Sequence, residues 1–449
     1  MYSRELYVSH KHRTIRSVQS VIESSYPISF REHDAMSLGN HIRHHHSVVL
    51  IGMKRVGISN FLRFFLHHPD VCKTYIDPQQ CERQAFILID LNNLVERSPL
   101  AFWTLTLKRI ADTIQTLGVS ESLRQSTQTI FTQAIQLGDT FFVLDAVQEV
   151  LRELTKEGFF TTLFLVRFDR LQDIITSEFF ANIQAVKDVA LQVSFVFTSY
   201  RPLHKLVPDV FTRSSLSVFT QEMYLKPAKE TDMRAILSTF VHRYDLSLPQ
   251  WAQDELLRLT GGHVQYLHLA LIYIRDHGLP GSAKELFQAV SQHEEIGFLS
   301  EELWSSLTKQ EQDTVLSMLA DPKETPEIPR YVAETGMVSS SAKKLQLFNP
   351  LFKHFLSTLD TVEKETLTFS KGELSRKEHL LYSLLEEHLG NLVERDTIIQ
   401  TVWADEAELG VSDWAVDRLI ARLRAKLRSR RSEYKIVTVI TRGYKLIHA

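Results

Sequence analysis

The segment from Ser412 to Leu427 has the apolar repeat of one amphipathic helix, and it limits the possible folds of this chain more than any other feature. At about 100° per residue, its apolar side chains form a single stripe. These residues are Val416, Leu419, Ile420, Leu423 and Leu427. The opposite face carries Trp414, Arg418, Ala421, Arg422 and Ala425. The pattern predicts a helix with one side in a core and two arginines, one turn apart, on the other.

That second face suits the major groove of DNA. Guanidinium groups donate to phosphates or guanine edges, and small alanines let the helix backbone come close. From Ser412 to Lys445, ten Lys or Arg residues stand against three acidic residues, whereas the whole chain has a net charge of −3. We therefore predict DNA binding for this end of the chain and not for all of it. The alternative is that the arginines only solvate a surface helix.

The flanking segments complete a winged helix. Two β-rich runs, Tyr434–Ile440 and Tyr444–Ile447, follow the helix and are joined by a tight turn with Arg442 at its tip. Upstream, the segment Leu374–Glu378 predicts the start of a helix with apolar periodicity. Its apolar residues are Leu380, Leu381, Leu384 and Leu385. A shorter helix is predicted from Arg395 to Trp403, with the tryptophan in the core.

Several spaced motifs stand in a fixed order along this segment. They are Leu374-Ser375 with Lys377-Glu378, Val402-Trp403, Val416-Asp417 with Arg422-Leu423-Arg424, and Thr438-Val439 with Arg442-Gly443-Tyr444. With these motifs, residues 367–448 resemble the OmpR/PhoB-type DNA-binding domain of bacterial response regulators. The resemblance implies base or phosphate contacts from Asp417, Arg418, Arg422, Arg424, Thr438 and Arg442. The wing departs from the family at Ile440-Thr441, where Arg-Gly is more common.

A second motif lies near the N-terminus. An apolar strand, Ser47–Ile51, is followed by a glycine-bounded loop and an apolar-periodic helix. Gly52, Gly57 and Ser59 have P-loop spacing, in which backbone N–H groups wrap phosphates at a helix N-terminus. The lysine expected before Ser59 is replaced by Ile58, and its loss usually cripples nucleotide hydrolysis. Lys54, inside the loop, is a possible substitute for part of that charge, as is its neighbour Arg55.

The acidic half of such a site is altered as well. The apolar run Phe160–Val166 predicts the strand that normally ends in an acidic pair. Aligned on Phe168-Asp169, Val166 and Arg167 occupy the two acidic positions. An apolar side chain cannot hold Mg²⁺ and an arginine cannot polarise water, so we predict a pseudo-ATPase. Asp169 remains as an alternative carboxylate, displaced from the usual position. No catalytic residue is predicted.

Strands at Ala85–Leu91 and Val193–Arg201 alternate with helices, which predicts a parallel sheet with helices on both faces. Residues 31–297 resemble the STAND and archaeal origin-binding branches of the AAA+ ATPases, including the run Leu259–His263 in the helical lid. The predicted fold class is an α/β P-loop parallel-sheet domain with a helical lid, followed by two winged-helix (α+β) domains. The predicted limits are 1–30 for an N-terminal arm, 31–225 for the P-loop domain, 226–298 for the lid, 299–360 for a winged-helix protein-contact module, and 361–449 for a linker and the DNA-binding domain.

Composition excludes several other classes. No apolar run reaches the roughly eighteen residues of a membrane helix, and Met1–Glu5 does not begin a signal peptide. Cys72 and Cys81 predict neither a metal set nor a disulfide framework. His41 and the run His44–His46 favour a solvated helix face, and no metal site is predicted. A cytoplasmic protein is expected.

Two function classes follow from the sequence. The first is a sequence-specific DNA-binding transcriptional regulator that is not an enzyme, whose pseudo-ATPase module senses a signal, binds a protein partner or self-associates. The second is a nucleotide-binding switch of the STAND or origin-binding kind that assembles on DNA in defence, replication or transposition. Double-stranded DNA is the partner in both. No cofactor is required by the first, whereas the second needs ATP or ADP.

Overall fold

The computed structural model describes most of the chain in separate stretches. These are residues 21–189, 192–208, 210, 221–320, 327–341, 344–365, 374, 376–403, 413–429, 433–439 and 443–448. Residues 1–20 of the predicted arm, and Arg442, lie outside them. The chain divides into two compact units, the first drawn from Met1–Gly52, Gly57–Asn93 and Trp103–Asp245, and the second from Met53–Val56, Leu94–Phe102 and Leu246–Ala449. No helix in the described stretches is long and apolar enough to span a membrane.

The first unit contains the predicted parallel sheet. Its strands are β1 (Val48–Ile51), β2 (Gln84–Asp90), β3 (Phe160–Val166), β4 (Val193–Ser199) and β5 (Glu222–Tyr224). They pair in parallel in the order β2-β3-β4-β1-β5. Every residue of β1 and β4 is buried, as expected for strands covered on both faces. The sequence did not predict β5, because three residues carry no readable periodicity.

Helices precede, connect and follow these strands along the chain. They are α1 (Glu32–Arg43), α2 (Ile58–His67), α3 (Val71–Tyr75), α4 (Pro78–Cys81), α5 (Pro99–Ile114), α6 (Glu121–Leu137), α7 (Thr140–Lys156), α8 (Ser177–Val189), α9 (Leu203–Leu206) and α10 (Glu230–Arg243). Short 3₁₀ helices span Ile22–Ser25, Leu91–Asn93 and Phe168–Ile174. The sequence predicted no disulfide framework, but Cys72 and Cys81 form one bridge, with Cα atoms 5.6 Å apart. The turn between α3 and α4 brings them together, which spacing alone does not reveal.

The second unit begins with the helices of the predicted lid. These are α11 (Gln250–Thr260), α12 (Val264–His277), α13 (Ala283–Gln292) and α14 (Glu294–Ser305). They are followed by α15 (Lys309–Ala320), α16 (Arg330–Glu334), the antiparallel hairpin of β6 (Val338–Ser341) and β7 (Lys344–Leu347), and α17 (Pro350–Glu365). Helix α17 continues through the first residues of the predicted linker, since buried Leu351, Phe352 and Leu356 fix its first two turns.

The C-terminal part of this unit is a winged helix. It consists of α18 (Arg376–Glu387), β8 (Val393–Glu394), α19 (Arg395–Val402), α20 (Asp413–Ser429), β9 (Tyr434–Val439) and β10 (Gly443–His448), with the antiparallel sheet order β8-β10-β9. The apolar stripe of α20 and Trp403 are buried in one core, as predicted. Leu380, expected on the apolar face of α18, is 37% exposed instead.

Gly443 is required by the close approach of β10 to β8. Its φ of 155° lies in the region that favours glycine, and an added Cβ would lie 2.0 Å from the Val393 carbonyl oxygen. Gly390 also has a positive φ, of 78°, but an added Cβ there would meet nothing within 4 Å. Gly443 is therefore required by its close contact with β8 as well as by its backbone conformation, whereas Gly390 is favoured by its backbone conformation alone.

We expect Gly443→Ala to destabilise the winged helix by more than about 2 kcal/mol, and Gly390→Ala by about 1 kcal/mol. The difference arises because only the first substitution forces the β8 backbone away. Hydrogen exchange of peptides covering residues 434–448 in the full chain measures both. Equal loss of protection in the two variants would contradict the steric role of Gly443.

Candidate DNA-binding and phosphate-binding sites

Helix α20 is held in one rotation by its buried stripe. Val416, Leu419 and Leu423 are fully buried, which turns Arg418, Ala421 and Arg422 to the opposite side. Ala421 is exposed, and the side chains of Arg418 and Arg422 are half-buried. Burial, and then the neighbouring charge of Arg422, lower the pKa of Arg418. Such a guanidinium group needs an acceptor, and in DNA the acceptors are phosphates and guanine edges. Arg442, the predicted wing residue, lies outside the described residues.

Asp417 is half-exposed and is tied to two other elements of the winged helix. Its carboxylate pairs with Arg395 of α19 and accepts a hydrogen bond from the Tyr444 hydroxyl. The Arg395 guanidinium lies 5.2 Å from the centre of the Tyr444 ring and donates to its hydroxyl at 2.7 Å. Burial and the Asp417 carboxylate raise the pKa of Tyr444. The cluster therefore joins α19, α20 and β10, and sequence analysis missed it because these residues are far apart in the chain.

Arg424 and Thr438 are brought together and bind each other. Arg424 Nη2 donates to Thr438 Oγ1 at 2.7 Å, and its Nε donates to the Ile436 carbonyl at 3.0 Å. In this arrangement the pair braces α20 against β9. Of the predicted DNA contacts in the described residues, Arg418 and Arg422 are the two whose side chains are not tied to the wing or to α19.

The predicted loop between strand and helix is present. Strand β1 ends at Ile51 and α2 begins at Ile58, with Gly57 at a φ of 119° as the residue before the helix. The Gly52 N–H donates to the Ser199 carbonyl at 3.3 Å, which ties the loop entrance to β4. Ser59 lies in the first turn of α2 and is partly buried. This strand–loop–helix order is the scaffold that cradles phosphates in P-loop proteins.

The loop residues Met53–Val56 belong to the second unit, where Lys54 and Arg55 face a carboxylate. Arg55 Nε donates to Glu302 Oε2 at 2.7 Å, and Lys54 Nζ lies 3.9 Å from Glu302 Oε1. The Lys54 carbonyl accepts a hydrogen bond from His263 Nε2 at 3.0 Å. The loop cations predicted as substitutes for the missing lysine are therefore held by Glu302.

His263 is fully buried, and burial lowers its pKa to about 4. The neutral ring must carry its proton on Nε2, since that atom faces a carbonyl acceptor. The buried Nδ1 has no hydrogen-bond partner. Protonating this ring would place a charge in the interior, so the unfolded chain binds the proton more readily.

The strand that normally supplies acidic residues ends in a different arrangement. Val166 is buried at the end of β3, and Arg167 follows it with a φ of 62°. Arg167 Nη1 donates to Asp90 Oδ2 at 2.5 Å, and its backbone N–H donates to Thr198 Oγ1 at 2.7 Å. The carboxylate at the end of β2 is thus neutralised by the arginine at the predicted acidic position. Residues 166 and 167 therefore offer no side-chain oxygen as a ligand for Mg²⁺.

The histidine-rich run does not form the helix face that the sequence predicted. Helix α1 ends at Arg43, and His44 and His45 form a turn in which His45 has a φ of 55°. The ring of His45 stacks on Phe160, with centroids 4.7 Å apart. Among the described residues, no group of three or more His, Cys, Asp or Glu side chains is arranged to hold a metal ion.

Comparison with known proteins agrees with the C-terminal fold. Residues 370–446 match the family described as "Transcriptional regulatory protein, C terminal". The chain therefore carries a C-terminal winged-helix domain of the OmpR/PhoB type. No curated protein matches the chain.

Solved structures with P-loop folds resemble the chain at low identity. They include the Walker-type ATPase PABY2304 of Pyrococcus abyssi (14% identity, TM-score 0.43, 75% of this chain and 100% of that one), the ORC2 protein of Aeropyrum pernix in its ADP form (13%, 0.41, 76% and 95%) and the Aeropyrum pernix ORC1 protein in complex with DNA (12%, 0.37, 93% and 88%). Because these TM-scores are low, the fold assignment rests on the sheet order and the strand–loop–helix described above.

Acidification tests the burial of His263. Below its ordinary pKa of 6.5 the unfolded chain takes up a proton that the folded chain refuses until about pH 4, so stability falls as the pH drops through this window. The loss is on the order of 3 kcal/mol. We expect His263→Gln, which cannot titrate but keeps an amide donor, to flatten this dependence. The urea midpoints of the wild type and of His263→Gln, determined at pH 6.5 and near pH 4, measure this pH dependence of stability. Parallel pH dependences would contradict a buried neutral imidazole.

Proposed function

We propose that this protein is a sequence-specific DNA-binding transcriptional regulator. The observation that carries the proposal is the outward face of α20, where Arg418 and Arg422 flank the exposed Ala421 in a domain of the matched family. One turn separates the two guanidinium groups, and the small residue between them leaves room for the groove wall. Double-stranded DNA is the proposed partner, and the cytoplasm the proposed location.

The P-loop module is proposed to act without hydrolysing ATP. Ile58 stands where the phosphate-binding lysine is needed, Val166 and Arg167 replace the acidic pair, and Arg167 neutralises Asp90. These changes affect both the charge on the phosphates and the metal that bridges them. A module with this fold but without this chemistry is suited to sensing a signal, to binding a protein partner or to self-association.

A nucleotide-binding switch that assembles on DNA is the second candidate. It is favoured by one observation, namely the retained strand–loop–helix with Gly57 in a left-handed conformation. Backbone N–H groups at the start of α2 can hold an anion even where the lysine is lost. Binding without turnover is therefore compatible with this candidate, and its ligand would be ATP or ADP.

DNA selection from a random duplex library with the full chain, with and without ATP–Mg²⁺, separates the two candidates. The regulator predicts one defined motif, recovered equally under both conditions. The switch predicts recovery that depends on nucleotide, or cooperative binding without a motif. Failure to recover DNA under either condition would rule out both.

Arg422→Ala tests the reading helix. If Arg422 contacts a base, its loss costs about 1–3 kcal/mol of affinity for the selected motif and relaxes the base preference at one position. Arg258→Ala is the matched control, because it removes an exposed arginine from α11, which is outside the winged-helix domain that contains α20. Fluorescence anisotropy with the selected duplex, at fixed salt, measures both. Unchanged affinity and unchanged base preference in Arg422→Ala would refute the assignment of α20.

Ile58→Lys tests the proposed loss of hydrolysis. The substitution restores charge next to the phosphates but leaves Val166 and Arg167 in place, so we expect no ATP turnover above the wild-type background. Phosphate release under multiple-turnover conditions measures it, and Ile58→Leu is the control for side-chain size. Turnover in Ile58→Lys would show that the acidic half of the site lies elsewhere.

A further inference from the structure

We propose that α14 is an intramolecular inhibitor of DNA binding, whose acidic face engages the two arginines that α20 presents. This inference rests on the proposed DNA-binding function of α20. It concerns the regulation of that same surface, and it names the chain's own helix as the competitor of DNA.

The contacts join complementary charges. Arg418 pairs with Glu301, and Arg422 Nη2 lies 3.7 Å from Glu294 Oε1. The Arg422 guanidinium also lies 4.6 Å from the centre of the Phe298 ring, in a cation–π arrangement. The arginines left facing outward by the core of the winged helix are thus the ones that meet α14.

A second tether lies beside the first. Lys377, at the start of α18, donates to Glu295 Oε1 at 2.6 Å. The same ammonium group lies 5.2 Å from the centre of the Trp403 ring. Two helices of the winged helix, α18 and α20, therefore contact α14. Together these contacts define the position and rotation of the winged helix on α14.

The acidic face belongs to a helix that is firmly held on its other side. Glu294, Phe298 and Glu301 follow each other at spacings of four and three residues and share one face. The opposite face buries Ile296, Leu299 and Leu303, among other residues, and places Ser300 Oγ 2.7 Å from the hydroxyl of Tyr266. Glu302 binds Arg55 of the loop. Helix α14 therefore offers a fixed acidic surface to α20.

The docked state and the DNA-bound state exclude each other. Phosphates approaching Arg418 and Arg422 would meet the carboxylates of Glu294 and Glu301, which carry the same sign of charge as DNA. The measured affinity is then the intrinsic affinity reduced by the fraction of open molecules. Because partly exposed ion pairs are individually weak, the docked state is reversible, and any event that displaces α14 raises DNA affinity.

The test changes α14 and leaves α20 intact, because Arg418 and Arg422 serve both states. We expect Glu294→Gln/Glu295→Gln/Glu301→Gln to bind the selected duplex about tenfold more tightly than wild type. The matched control is Glu121→Gln/Glu153→Gln/Glu230→Gln, which makes the same change in net charge at exposed positions of the first unit. It should change affinity less than about twofold at the same salt concentration.

Phe298→Ala distinguishes the release of α20 from α14 from a simple loss of negative charge near the DNA. It removes the apolar platform under Arg422 without altering charge, and it is expected to tighten binding about threefold. Hydrogen exchange of peptides within residues 413–429, without DNA, should increase in both α14 variants. The inhibitory contact is refuted if the α14 triple variant binds the duplex no more tightly than its control. It is also refuted if Phe298→Ala leaves the affinity for the duplex unchanged. If the wild type binds its motif but the variants give either of these results, the proposed DNA-binding function stands and only the proposed inhibition is refuted. If neither wild type nor the α14 variants select DNA, the proposed function fails.

Discussion

The need to pair half-buried guanidinium groups organises both candidate sites. Taking a charge out of water is costly unless a partner of opposite charge accepts its hydrogen bonds. Arg167 meets Asp90, Arg55 meets Glu302, and Arg418 meets Glu301. In each case an arginine at a candidate site has a carboxylate of the same chain as its partner.

In the first unit, the residues that form the fold differ from the residues that ATP hydrolysis needs. The parallel sheet and the loop after β1 need only buried apolar strands and two glycines, and both are present. Hydrolysis needs carboxylates at the end of β3, where Val166 and Arg167 stand instead. Fold and hydrolysis thus depend on different residues, so the fold is compatible with the proposed loss of hydrolysis. This separation supports a role in sensing or association for the module.

In the second unit the same kind of pairing joins the surface proposed to bind DNA to the helix proposed to inhibit that binding. The core of the winged helix fixes which residues of α20 face outward, and it uses Asp417, Arg424 and Thr438 to hold α19 and the wing strand in place. Arg418 and Arg422 take no part in these contacts, and they are the residues proposed to recognise DNA. The helix that meets them, α14, also contacts the P-loop residue Arg55 through Glu302. A single helix therefore contacts both a loop suited to anions and the surface proposed for DNA.

The sequence by itself determined the elements whose periodicity is long enough to read. The stripe of α20, the strands β1 to β4 and the loop between Ile51 and Ile58 follow from local spacing, because helix and strand periods are local properties. Short strands such as β5 and β8 carry too few residues for a period. Only the tertiary structure decided which charges meet, since Asp90 and Arg167 lie 77 residues apart in the chain. Likewise, Arg418 meets Glu301 of α14, and Arg422 lies near Glu294 of α14 and Glu378 of α18. A carboxylate and a guanidinium attract over a distance in space and not along the chain, so their pairing is settled only when the core has placed their helices and strands.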